Sequence, residues 1–160
     1  MKNLTGKIKL IITDVDGVLT DGHIYITDSG EQMRSFYVRD GLAIKSLMNK
    51  GYHVGIITAA LTSGAVETRA KMLGIDLVYI GIEEKVKIVD QWRKNLKLKW
   101  DEIAYLGDDI IDIEVMKKAG FSACPADAVE RVKKIATITL KTKGGQGCFR
   151  EMTEKYFSVL

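Results

Sequence analysis

Apolar residues gather along the chain in short blocks separated by longer amphipathic stretches. The blocks at Ile8–Thr13, His53–Thr58, Leu77–Ile80, Ile103–Leu106 and Phe121–Ala123, with a weaker one at Thr137–Leu140, read as buried strands. Between them the spacing turns helical: in Glu83–Leu98, Val86, Val89, Trp92 and Leu96 share one face. Gly51, Gly74 and Gly120 each follow a helical stretch and suit a C-terminal cap. Strand and helix in alternation predict parallel βαβ units, hence an α/β fold of three layers, a Rossmann-like sheet with helices on both faces. In such sheets ligands bind beyond the carboxyl ends of the strands, where Asp14, Thr58 and Asp108 all fall. One stretch breaks the alternation. In His23–Val38, Ile24 and Ile26, then Phe36 and Val38, follow a period of two around a DSGE turn, which predicts a β-hairpin beside the site.

Composition narrows the picture without changing it. The 160 residues suit a single domain spanning 1–160, with the hairpin at about 23–38 and a glycine-rich tail at about 143–160. A net charge of +3, with Lys and Arg scattered, argues against nucleic acid or an anionic membrane as partner. No apolar run approaches the roughly 20 residues of a bilayer span. The opening MKNLTGKIKLIITD carries no small-residue cleavage site, so it is not read as a secretory signal. Cys124 and Cys148, without CxxC spacing, and two histidines give neither a zinc site nor a disulfide framework. The expected compartment is cytoplasmic.

Two acidic clusters change the picture. KLIITDVDGVLTDG, residues 9–22, runs a buried strand into Asp14, Asp16 and Asp21. Clustered carboxylates repel one another and need a cation, a shared proton or a solvated turn. The pair in DVDG can converge on one divalent ion or one reacting group; the competing reading is a solvated turn. In AYLGDDIIDIE, Asp108, Asp109 and Asp112 open a helix, where the helix dipole explains one or two of them and the third poorly. Oxygen ligands without His or Cys suit Mg²⁺. Thr58 at a strand end and Lys85 at a helix start are candidates to hold a phosphate, although either is also an ordinary structural residue.

The order of these motifs, DVDGVLTDG, then Thr58, then Lys85, then GDDIID, resembles the haloacid-dehalogenase superfamily over nearly the whole chain. With VRDG at 38–41 and GGQGCFRE at 144–151, the chain is similar to its small capless branch, the 3-deoxy-D-manno-octulosonate 8-phosphate phosphatases. The resemblance implies that Asp14 is the nucleophile and Asp16 the general acid and base. It implies that Asp14, Asp16 (through its backbone carbonyl) and Asp108 bind Mg²⁺, and that Thr58 and Lys85 hold the phosphate. Asp109 and Asp112 would orient water ligands, the loop or neighbouring cations. The implied substrate is a sugar phosphate of lipopolysaccharide precursor synthesis. A nine-carbon keto-acid 9-phosphate is an alternative, and so is a catalytically idle oligomerisation or regulatory domain.

The chain departs from that pattern at Ala59 and Ala60, where relatives commonly carry Gly and a polar residue, and the spacing from Thr58 to Arg69 is about one residue longer. The hairpin is too small for a folded cap, and the resemblance suggests a homotetramer in which neighbouring hairpins cover the site. Arg69 and Arg150, with the GGQG loop, are candidates to hold the substrate's carboxylate or hydroxyls; the alternatives are a helix-surface arginine and a turn before a final helix. Cys124, Cys148 and Trp92 read as packing residues, His23 and His53 form no catalytic pair, and Asp21 shapes the turn into the hairpin.

Overall fold

The computed structural model describes residues 6–60 and 64–157. Its main sheet has six parallel strands: β1 (Leu10–Thr13), β4 (His53–Thr58), β5 (Leu77–Ile80), β6 (Ile103–Leu106), β7 (Phe121–Cys124) and β8 (Ile138–Thr139). A separate antiparallel pair, β2 (Tyr25–Ile26) and β3 (Gln32–Met33), forms the hairpin. The helices are α1 (Val38–Asn49), α2 (Gly64–Leu73), α3 (Lys85–Asn95), α4 (Ile113–Lys118), α5 (Glu130–Lys133) and α6 (Cys148–Tyr156).

The strand order is β5-β4-β1-β6-β7-β8. The chain builds outward from β1 through β4 to β5, then returns to place β6 on the other side of β1. That reversal makes the carboxyl end of β1 the switch point at which parallel sheets open a crevice. Leu10 pairs with both His53 and Ile103, and Thr13 with both Ile56 and Leu106, so β1 and β6 end level while β4, between β1 and β5, runs two residues further, to Thr58. The loops after them are thereby held side by side.

Strict alternation along β1 divides the core. Leu10 and Ile12 pack with Ile57, Val89, Tyr105 and Met116 on one side. Ile11 packs with Ile44, Leu47, Ile56, Phe149 and Met152 on the other. Both faces of β1 are therefore buried, as a parallel sheet requires. Trp92 lies half-buried against Gly55, where a Cβ would come within 2.9 Å of its ring.

Two expectations are corrected. The hairpin is shorter than His23–Val38, since only two residues on each strand pair. Val38 instead opens α1, and Phe36 packs against the core. From Val38 onward the chain follows a helical spacing, with Asp40, Gly41, Ala43, Ile44 and Leu47 on the buried face of α1. Gly120 is not a left-handed cap: it is absent from the positive-φ glycines, whereas Gly51 and Gly74 have φ of 87° and 77°. At Gly120 the backbone of Asp101 approaches too closely for a Cβ.

Candidate active site

The Asp14 carboxylate lies at the end of β1, buried, with Oδ1 accepting from the Val15 N–H at 2.7 Å. Its Oδ2 is 2.9 Å from Lys85 Nζ. Lys85 is the first residue of α3, and its ammonium also reaches Asp112 Oδ1 at 2.7 Å. Asp112 accepts in addition from Tyr105 Oη at 2.6 Å and from the Asp108 and Asp109 N–H groups at 3.0 and 3.2 Å. Four donors fill this fully buried carboxylate, so it anchors Lys85 and the 107–109 loop.

One oxygen from each of Asp14, Asp108 and Asp112 lies within 4.8 Å of the others. A single lysine thus serves three carboxylates, and the electrostatics register the deficit. Burial, reinforced by the charge of Asp112, pushes the Asp14 carboxyl up to about 8 despite Lys85. Burial and Asp112 likewise push Asp108 up to about 7. Burial works to lower the Lys85 pKa, but Asp14 and Asp112 outweigh it and hold the ammonium above its ordinary value. The Tyr105 hydroxyl, buried beside Asp112 and Asp14, is raised well above the usual phenol range.

A hard divalent cation fits this place. Asp108 Oδ1 is buried and has no hydrogen-bond partner, so one ligand oxygen stands ready. The donors are all oxygens, as Mg²⁺ prefers. Gly17, at φ 84°, gives the Asp108 carboxylate room that any Cβ would occupy.

A cavity of about 380 Å³ opens above the cluster, and Asp14, Asp16, Thr58, Ala59, Ala60, Asp108 and Asp109 are among its lining residues. Thr58 is buried at the end of β4, and its Oγ1 accepts from the Ala60 N–H at 3.3 Å. Asp109 is exposed and caps the short turn Ile110–Asp112, its Oδ1 accepting from the Ile110 N–H at 2.6 Å. Residues 61–63, which carry the altered spacing between Thr58 and Arg69, lie outside the described residues.

Arg69 and Arg150 do not line that cavity. Arg69 lies over the Phe36 ring, 5.7 Å from its centroid, and borders a neighbouring cavity of about 760 Å³. The Arg150 side chain bonds Glu154 on its own helix at 2.6 Å, while its N–H donates to Asp40 Oδ1 at 2.8 Å. The GGQG loop supports the Asp14 loop from behind. Gly145 donates its N–H to Val18 O at 2.9 Å, and a Cβ on Gly144 or Gly145 would strike the backbone of Gly17 or Asp21. Asp21 accepts from the His23 N–H at 3.0 Å and so closes the turn into the hairpin.

Two site residues escape a reading of sequence alone. Tyr105 carried one weak signal, a phenol amid apolar residues one position before the last residue of a strand. Arg34 carried none of its own. It sits just beyond β3, and its guanidinium clasps Asp16: Nε meets Oδ1 at 2.7 Å and Nη2 meets Oδ2 at 3.3 Å.

A profile of haloacid dehalogenase-like hydrolases matches residues 83–152. The chain is 39% identical over 154 residues to the 3-deoxy-D-manno-octulosonate 8-phosphate phosphatase of Haemophilus influenzae, covering 96% of this chain and 85% of that one. Its structure superposes on that of the Yersinia pestis phosphatase of the same name with a TM-score of 0.89 at 38% identity, over 92% of this chain and 80% of that one. The Moraxella catarrhalis phosphatase, solved in complex with a magnesium ion, a phosphate ion and 3-deoxy-D-manno-octulosonate, also superposes with a TM-score of 0.89, at 34% identity over 92% and 84% of the two chains.

Proposed function

Because the chain belongs to the haloacid dehalogenase-like hydrolases, and among them to the 3-deoxy-D-manno-octulosonate 8-phosphate phosphatases, we propose that it hydrolyses this sugar phosphate to the free sugar acid and phosphate. The observation that carries the reading is the buried Asp14–Lys85–Asp112 chain beneath a cavity that Asp16, Thr58 and Asp108 also line.

Asp14 attacks phosphorus, and its carboxylate is aimed by the Val15 N–H and Lys85. Asp16 protonates the departing sugar oxygen, a poor leaving group for which a positioned acid is worth typically about 10²–10⁴-fold. The same carboxylate then takes a proton from the water that hydrolyses the aspartyl phosphate. Thr58 and Lys85 hold the phosphoryl oxygens, and Asp112 holds Lys85 in place. Asp14, Asp108 and the backbone carbonyl of Asp16 are the residues to hold Mg²⁺. Bound there, the ion supplies the positive charge that keeps the carboxylates ionised and offsets repulsion between nucleophile and phosphate. Asp109 shapes the loop that presents Asp108.

The same reading makes the protein a single-domain cytoplasmic enzyme of lipopolysaccharide precursor synthesis. In agreement with it, no helix among the described residues is long and apolar enough to cross a membrane. It also makes the enzyme a homotetramer whose hairpins cover neighbouring sites and in which Arg69 and Arg150 reach the sugar acid. What supports this is exposure: Tyr25, Ile26 and Met33 on the hairpin are 54%, 67% and 56% exposed.

The test is phosphate release from 3-deoxy-D-manno-octulosonate 8-phosphate and from a nine-carbon keto-acid 9-phosphate, with Mg²⁺ and with EDTA. The expected result is Mg²⁺-dependent turnover with preference for the eight-carbon substrate. Preference for the nine-carbon compound would move the substrate assignment, and absence of metal-dependent release from either would end the enzymatic reading.

A further inference from the structure

Arg34 is a buried cation brought to the site at the exit of the exposed hairpin. Its side chain is 2% exposed, although the strand immediately before it, β3, belongs to the hairpin. A guanidinium withdrawn from water needs a partner, because breaking a buried ion pair leaves an uncompensated charge. Here the partner is the Asp16 carboxylate, itself 28% exposed and lining the cavity that holds Asp14. Arg34 lines that cavity too, and also borders the larger one beside Arg69.

The contact is uneven. Nε holds Oδ1 tightly at 2.7 Å, whereas Nη2 meets Oδ2 at 3.3 Å. A planar fork held at one oxygen and touched at the other fixes the plane of the carboxylate. Oδ2, the looser oxygen, retains acceptor capacity for a proton.

We propose that Arg34 is a positioning residue for Asp16, aiming Oδ2 at the scissile ester oxygen and tying that aim to the placement of the hairpin. The inference rests on the phosphatase reading above. In the first half-reaction the proton on Oδ2 passes to the ester oxygen as its bond to phosphorus breaks and the bond from Asp14 to phosphorus forms. In the second, Oδ2 takes a proton from water as the water oxygen bonds phosphorus and the Asp14–phosphorus bond breaks. Arg34 exchanges no proton in either step. It keeps the carboxylate from rotating away, and when the hairpin is displaced the aim is lost with it.

A leaving group that needs no proton separates this role from phosphate binding. For Arg34→Met, the single-turnover rate at which the sugar phosphate loses its leaving group is expected to fall about 10- to 100-fold, while the same rate for p-nitrophenyl phosphate falls less than about threefold and KM for both stays within about threefold. The later hydrolysis of the aspartyl phosphate, common to both, slows equally. Arg34→Lys, which keeps one charged contact, recovers part of the loss. Equal losses of the single-turnover rate on the two substrates, or a rise in KM with that rate preserved, would overturn the proposal. An independent readout uses the ¹⁵N spectrum of the arginine side chains in the substrate-free protein. The Arg34 Nε–H resonance is expected to move in Asp16→Asn and to stay in Asp109→Asn; a resonance indifferent to Asp16 overturns the proposal. Wild-type protein inert toward both substrates, with the resonance coupled to Asp16, would instead count against the phosphatase reading.

Discussion

The carboxyl edge of the sheet and the hairpin above it are built on opposite principles. At the edge, Lys85, Asp112 and Tyr105 are buried, mutually bonded and carried on three separate elements packed by the core. The hairpin has two paired residues on each strand and leaves Tyr25, Ile26 and Met33 largely in solvent. The difference separates two tasks. The groups assigned to chemistry are held by the fold of one chain, while the cover proposed for them draws on the hairpins of neighbouring chains. Arg34 is the link between the two, a hairpin cation spent on an active-site carboxylate.

The comparison breaks first at Asp112. Asp112→Ala leaves Lys85 with Asp14 as its remaining carboxylate and strands the Tyr105 hydroxyl and two loop N–H groups. Removing one partner from such a buried network is expected to cost about 3–5 kcal/mol, read by urea unfolding, with loss of phosphate release. A cost under about 1 kcal/mol would mean that the edge is not the rigid region.

A smaller effect concerns the joint between the hairpin's exit and the tail. Burial pushes the Asp40 carboxyl up to about 6, against the Arg150 N–H bond and the charges of Arg69 and Arg150. Folding therefore raises the proton affinity of Asp40. Its contribution to stability is fullest below pH about 4, where both states are protonated, and is lost as pH rises through about 6. The loss is on the order of 3 kcal/mol at most by pH 7. Unfolding free energies at pH 4 and 7 should show the difference shrinking in Asp40→Asn. An unchanged difference would place the pH dependence elsewhere.

The smallest expected effect on the single chain is at the hairpin. Ile26→Asp changes a residue that is 67% exposed, so its monomer stability should shift by less than about 0.5 kcal/mol. If the proposed tetramer forms through the hairpins, light scattering should nevertheless show it falling apart and KM for the sugar phosphate rising. An intact, fully active assembly would remove the shared-cover account.

Much of the edge was legible in the sequence because short runs rich in β-branched residues, such as LIIT and HVGIIT, leave little choice but buried parallel strands. Once β1 and β6 end level beside a β4 that runs two residues further, Asp14, Thr58 and Asp108 follow as neighbours. What was not legible depends on contacts distant in sequence. Arg34 reaches Asp16 across 18 residues, Lys85 reaches Asp112 across 27, and the Arg150 N–H reaches Asp40 across 110. No local periodicity announces such pairs. The hairpin was overextended for a related reason: Val38 fits a strand alternation equally well, and the buried face that α1 forms from Ala43, Ile44 and Leu47 lies beyond it.

The central claim is that Asp14 carries the phosphoryl group. Acid-quenching the enzyme during turnover of 3-deoxy-D-manno-octulosonate 8-phosphate with Mg²⁺, followed by intact mass and peptide mapping, tests it most directly. The account predicts one added phosphoryl group, confined to the peptide that contains Asp14 and absent in Asp14→Asn. Phosphate release that survives in Asp14→Asn, or a phosphoryl group found on another residue, would contradict it.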